Sequence, residues 1–98
     1  MYRNKTLLEV CRCLSCQHCG RDDGTVVAAH SNQLRDGKGR GIKASDYRVA
    51  SLCFTCHSEL DQGKNMSKQE RIDVWEDAHR STIGQLFEQG YIVITNKH

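Results

Sequence analysis

The chain has no proline, one tryptophan, three tyrosines, two phenylalanines, and little net charge of either sign. No proline-rich stretch, repeat or low-complexity tail divides its 98 residues, which fit one domain. Few aromatics and a hydrophobic fraction of 38% make a lean core. A core of this size contributes only ~3–5 kcal/mol of net stability, so such chains usually carry a staple. No apolar run is long enough to span a membrane. The opening residues Met1-Tyr2-Arg3-Asn4-Lys5 lead into no apolar stretch of the secretory kind. The expectation is therefore a soluble, cytoplasmic chain with reduced thiols and no membrane partner. A net charge of +2 is too small to argue nucleic-acid binding by itself.

What the chain does have is six cysteines. Cys16-Gln17-His18-Cys19-Gly20 and Cys53-Phe54-Thr55-Cys56-His57 each place two residues between their thiols, so both sulfurs can point at one metal ion. Together Cys16, Cys19, Cys53 and Cys56 predict a structural four-thiolate zinc site. Zinc-finger peptides gain of order 10–16 kcal/mol from such a metal, enough to staple a small domain. Cys13-Leu14-Ser15-Cys16 has the same spacing and competes for the first pair. Gly20 favours the later register, because a knuckle turn needs a residue tolerant of positive φ after its second thiol. Cys11 and Cys13 are then spare.

A short helix is expected over residues 4–10. The β-branched run 25–29 reads as a strand that delivers His30. Residues 31–45, with Gly37, Gly39 and Gly41, form a loop, and 48–52 form a second strand. The second cysteine pair opens a helix to about residue 60. Ser67 and Glu70 make a capping box for the longest helix, 68–89. Its buried stripe is Ile72, Trp75, His79, Ile83, Leu86 and Phe87. Gly90 ends it, and 91–95 reads as a terminal strand. A knuckle, a hairpin and a helix carrying the last two thiols make an α+β treble-clef arrangement over 16–63, with a helical extension over 67–90.

Two histidines lie within this frame. His30 ends a strand, and a neutral imidazole there can take a proton from water near neutral pH. His57 follows Cys56 on a helix, and Asp61, four residues on, shares its face. Such a pair is a half-site for a divalent ion like Mg²⁺, which would stabilise charge on a scissile phosphate. Arg35, Lys38, Arg40, Lys43 and Arg48 form the basic stretch that could hold a phosphate backbone. Each feature has a plainer reading: His30 as a half-buried histidine with a backbone partner, Asp61 as a helix end, the basic stretch as solvated surface. His18 is expected exposed, His79 packed, and His98 is a tail residue.

Val27-Ala28-Ala29-His30 followed by Ser51-Leu52-Cys53-Phe54-Thr55-Cys56-His57 resembles the HNH (His-Me finger) endonucleases with a treble-clef zinc site. Within them it is most similar to the small phage and prophage nucleases of the YbcO-like kind. The resemblance covers roughly 16–63, and more loosely the capped helix after it. It implies a ββα-metal site, DNA as partner, and a bacterial cytoplasm with phage or prophage origin. His30 falls on the general base and His57 on a metal ligand. Ala29 stands where many members carry an acidic or histidine ligand. Arg48 stands at the middle asparagine, with Asp46 nearby as a substitute in orienting the base or binding metal. A non-catalytic zinc-stapled DNA- or protein-binding module on the same frame is the alternative.

Overall fold

The computed structural model describes residues 1–95; residues 96–98, with the tail histidine His98, lie outside the described part. The chain folds as a small α+β unit in the order α1 (Lys5–Cys11), β1 (Val27–His30), a 3-10 turn (Leu34–Asp36), β2 (Val49–Leu52), α2 (Phe54–Gln62) and α3 (Lys68–Glu88). The two strands pair antiparallel, with His30 opposite Val49 and Val27 opposite Leu52.

Local chemistry sets the helix starts. The Asn4 side chain accepts from the Leu7 N–H and caps α1. Ser67 and Glu70 form the reciprocal box that opens α3. The Cys53 sulfur accepts from the Cys56 N–H and so caps α2. A helix N-terminus favours the negative charge a thiolate carries.

A two-stranded sheet alone is marginal in water, and here it is buried between two apolar clusters. One holds Cys16, Ala29, Ala50, Leu52, Cys53, Leu60, Trp75 and Ala78. The other joins Cys11, Leu14, Val49 and Leu86 with the half-buried Leu7, Leu8 and Ile83. The long α3 reaches both, because Trp75 and Ala78 sit in the first and Leu86 in the second.

Helix α3 also covers the open edge of β2. His79 Nδ1 lies 2.7 Å from the Val49 carbonyl, and Thr82 Oγ1 accepts from the Ser51 N–H at 2.9 Å. Trp75 Nε1 donates to the Ala29 carbonyl at 3.1 Å. The expected stripe needs two corrections. Phe87 is 47% exposed, while Ala78 and the fully buried Thr82 face inward. No strand forms at Tyr91-Ile92-Val93-Ile94-Thr95. Instead the N–H groups of Tyr91 and Ile92 both donate to the Leu86 carbonyl and fold the chain back on the end of α3. The segment has β propensity but no strand beside it to pair with.

Candidate metal centre and adjoining cleft

The knuckle is built by short-range bonds. Cys16 N–H donates to the Arg21 carbonyl at 2.8 Å, and Gly20 N–H donates to the Cys16 carbonyl at 2.9 Å. Gly20 adopts a φ of 81°, which a side chain would resist. Gln17 N–H donates to the Ser51 carbonyl at 2.8 Å and ties the knuckle to β2. Strand β2 then runs into α2, whose first turn carries Cys53 and Cys56.

The ligand atoms of Cys16, Cys19, Cys53 and Cys56 all lie within 4.8 Å of one another. Cys19 and Cys53 sulfurs are 3.7 Å apart. A disulfide would need about 2.05 Å. Tetrahedral zinc with Zn–S bonds of ~2.3 Å sets its sulfurs ~3.8 Å apart. The donor set and its spacing therefore fit a metal ion such as zinc. The two halves also match: Cys19 N–H donates to Cys16 Sγ, and Cys56 N–H to Cys53 Sγ, each at 3.5 Å. Burial pushes the Cys16 thiol up, but backbone groups at Cys19, Cys53 and His18 outweigh it and lower its pKa to about 6. Burial, then the neighbouring thiols, push Cys56 up. Four thiols this close resist sharing negative charge unless a cation lies among them.

Cys13 is exposed and not part of this cluster, and Cys11 is fully buried. Burial raises the Cys11 thiol, and its backbone carbonyl accepts from Ser51 Oγ at 2.7 Å. It packs as a small apolar side chain.

His30 and His57 line a single cleft of about 490 Å³ together with Asp61. His30 Nε2 lies 2.8 Å from Asp46 Oδ1. Asp46 is itself nearly fully buried. Burial would raise its carboxyl, but bonds from His30, the Asn4 N–H (2.7 Å) and Arg3 (3.1 Å) hold it below the usual carboxylate range. An ionised carboxylate only accepts, so Nε2 carries the hydrogen of this bond. Asp46 thus bonds the His30 ring across 16 positions of sequence. Its clamps, Arg3 and Asn4, carry no signal that sequence reading could use.

His57 Nε2 is 3.1 Å from Asp61 Oδ2, and Asn32 Nδ2 donates to Asp61 Oδ1 at 3.0 Å. The i, i+4 spacing brings that pair together as expected. Among the described residues, the four cysteines form the only cluster of three or more histidine, cysteine or acidic side chains close enough to hold an ion. His57 and Asp61 would supply two ligands.

The basic stretch divides. Arg35 lines the cleft; Lys38, Arg40 and Lys43 do not. Arg48 is bound inside the protein: Nη1 donates to Glu76 Oε1 at 3.0 Å, and Nη2 to Asp36 Oδ2 at 2.9 Å and to Glu76 Oε2 at 2.5 Å. Its guanidinium also lies 4.8 Å from the centre of the Trp75 ring. Those bonds, first to Glu76, raise its pKa and leave it committed to the fold. Sequence reading passed over Lys68 and Arg71, which also line the cleft. Their spacing of three on an amphipathic helix was the available signal. No family model, curated protein or solved structure matches the chain. In the described residues, no helix is long and apolar enough to cross a membrane.

Proposed function

We propose that this chain is a metal-dependent endonuclease of the HNH class, hydrolysing DNA phosphodiester bonds on a zinc-bound treble clef. A knuckle at Cys16–Cys19, a two-stranded sheet and a helix opening on Cys53 and Cys56 support the treble-clef reading. The observation that carries the activity is the His30–Asp46 bond at 2.8 Å, on a cleft that His57 and Asp61 also line. An imidazole so held is the arrangement of an oriented general base.

His30 Nδ1 takes a proton from water as the hydroxyl attacks phosphorus. The ester P–O bond breaks, and the leaving oxygen takes a proton from solvent water. Asp46 keeps the ring fixed and stabilises the imidazolium. His57 and Asp61 would hold Mg²⁺ or a similar ion, which offsets charge on the phosphate and the leaving oxygen. The sequence's resemblance to HNH enzymes would imply a bacterial cytoplasm and a phage or prophage origin. A non-catalytic zinc-stapled module for DNA or protein binding is the second reading. It is favoured by the lack, among the described residues, of a third ligand beside His57 and Asp61.

The two part on a nicking assay. Zinc-loaded protein with Mg²⁺, Mn²⁺ or Ni²⁺ should nick plasmid DNA, and His30→Ala should lower the rate at least about 100-fold with zinc content unchanged. Equal inertness of wild type and variant across the three metals selects the non-catalytic module. Equal activity removes His30 from the chemistry.

A further inference from the structure

Beside its polar groups the cleft carries an apolar wall. Leu60 and Trp75 are buried at its floor, Ile72 is half-buried above them, and Leu34 stands at its rim 81% exposed. Lys68, Arg71 and Arg35 add cations at its edge, set against the Asp61 carboxylate, which is already bonded to His57 and Asn32. Arg48 and Arg71 each have an Nε buried without a hydrogen-bond partner, but Arg48 is ion-paired with Asp36 and Glu76, whereas Arg71 joins no ion pair among the described residues. The Arg71 guanidinium is therefore free to meet an anion from outside the chain.

We propose that this cleft is a nucleotide site: it takes one unpaired nucleotide of a DNA strand, base against Leu34, Leu60 and Ile72, phosphate against Lys68 and Arg71. The choice of DNA rests on the function proposed above; the preference for an unpaired base does not. The volume of about 490 Å³ suits a ligand the size of one nucleotide. In a duplex the base faces are stacked on their neighbours and cannot meet an aliphatic floor. An unpaired base offers its whole face to such a surface, while the backbone follows the cations. The slot and its cations on α3 would act beside the basic stretch that the sequence offers for a phosphate backbone.

The test uses zinc-loaded His30→Ala, which binds without cutting, and a labelled twelve-nucleotide strand, alone or in duplex, followed by fluorescence anisotropy. The single strand should bind at least about tenfold tighter than the duplex. Arg71→Ala and Lys68→Ala should each weaken it several-fold and lower the salt slope by about 0.7 per phosphate lost. Lys68 is exposed at the start of α3, so its variant folds even where Arg71→Ala does not. Thymidine monophosphate should displace the strand at concentrations where inorganic phosphate does not, which separates a nucleotide site from an anion site. Equal or tighter duplex binding overturns the proposal. So does full affinity in Lys68→Ala together with any folded Arg71 variant, or phosphate competing as well as the nucleotide. Absence of nicking with intact, Lys68-dependent single-strand binding would sink the nuclease and leave the nucleotide site standing. Nicking indifferent to Lys68 and Arg71 would do the reverse.

Discussion

Arg48 was read from the sequence as a cation for DNA, and its surroundings assign it to the fold. It pairs with Glu76 on α3 through both terminal nitrogens and with Asp36 on the 3-10 turn, and it lies over Trp75. Only 18% of its side chain is exposed. Removing one member of such a group strands the other charges, at a cost near ~3 kcal/mol. Arg48→Ala should therefore lower unfolding free energy in urea by about that amount. Arg48→Lys should recover less than half, because an ammonium cannot make the paired contact with Glu76. Full rescue by lysine would show that charge alone matters there. The reason this role was illegible is plain. Asp36 lies 12 residues from Arg48 and Glu76 lies 28 away, and no local spacing links them. The cysteines were legible because a metal imposes its own spacing. Gly20, with its positive φ, picked the right register. Asp46 was legible as a candidate and not as a partner of Arg3 and Asn4.

Among the elements, α3 carries the most. Its capping box and Trp75 were readable from periodicity. Thr82 was not, because a threonine looks polar until an unpaired strand edge requires it. His79 joins the same edge, stacked on Trp75 with ring centroids 5.1 Å apart. Burial, more than its charged neighbours, lowers its pKa below the ordinary value, and the Val49 carbonyl only partly opposes this. The unfolded chain therefore binds the His79 proton more readily than the folded one. The stability His79 contributes is complete above about pH 6.5 and is lost as pH falls through its lower folded pKa. Asp36, Asp46 and Glu76 also titrate low in the folded state, so their losses come in more acid solution. His79→Gln keeps a donor for Val49 and does not titrate. In zinc-saturated urea melts from pH 7.5 down to about 5, wild type should lose stability relative to His79→Gln. Parallel curves would mean that the folded protein protonates His79 without penalty.

At the scale of the whole molecule, no helix or strand occupies the stretch between α1 and β1. Its second half is the knuckle, held by a few backbone bonds and by Cys16 and Cys19. Cys16 and Cys53 are themselves part of the apolar cluster with Leu52, Leu60 and Trp75. A metal at the four sulfurs would thus join the knuckle, β2 and α2 at a point inside the core. The second cluster shares β2 and α3 with the first, so neither can open alone. Zinc binding of order 10–16 kcal/mol exceeds what a core this lean supplies by itself. Chelation should therefore unfold the protein in one transition, with helical signal and Trp75 fluorescence lost together and restored by one equivalent of Zn²⁺. Cys16→Ser should lose the metal and melt like the chelated protein, whereas Cys13→Ser should keep both metal and melting temperature. A chelated protein that retains the α1–α3 signal while the knuckle alone loosens would mean that the second cluster folds independently. Unchanged melting after complete zinc removal would mean that the apolar clusters suffice without the staple.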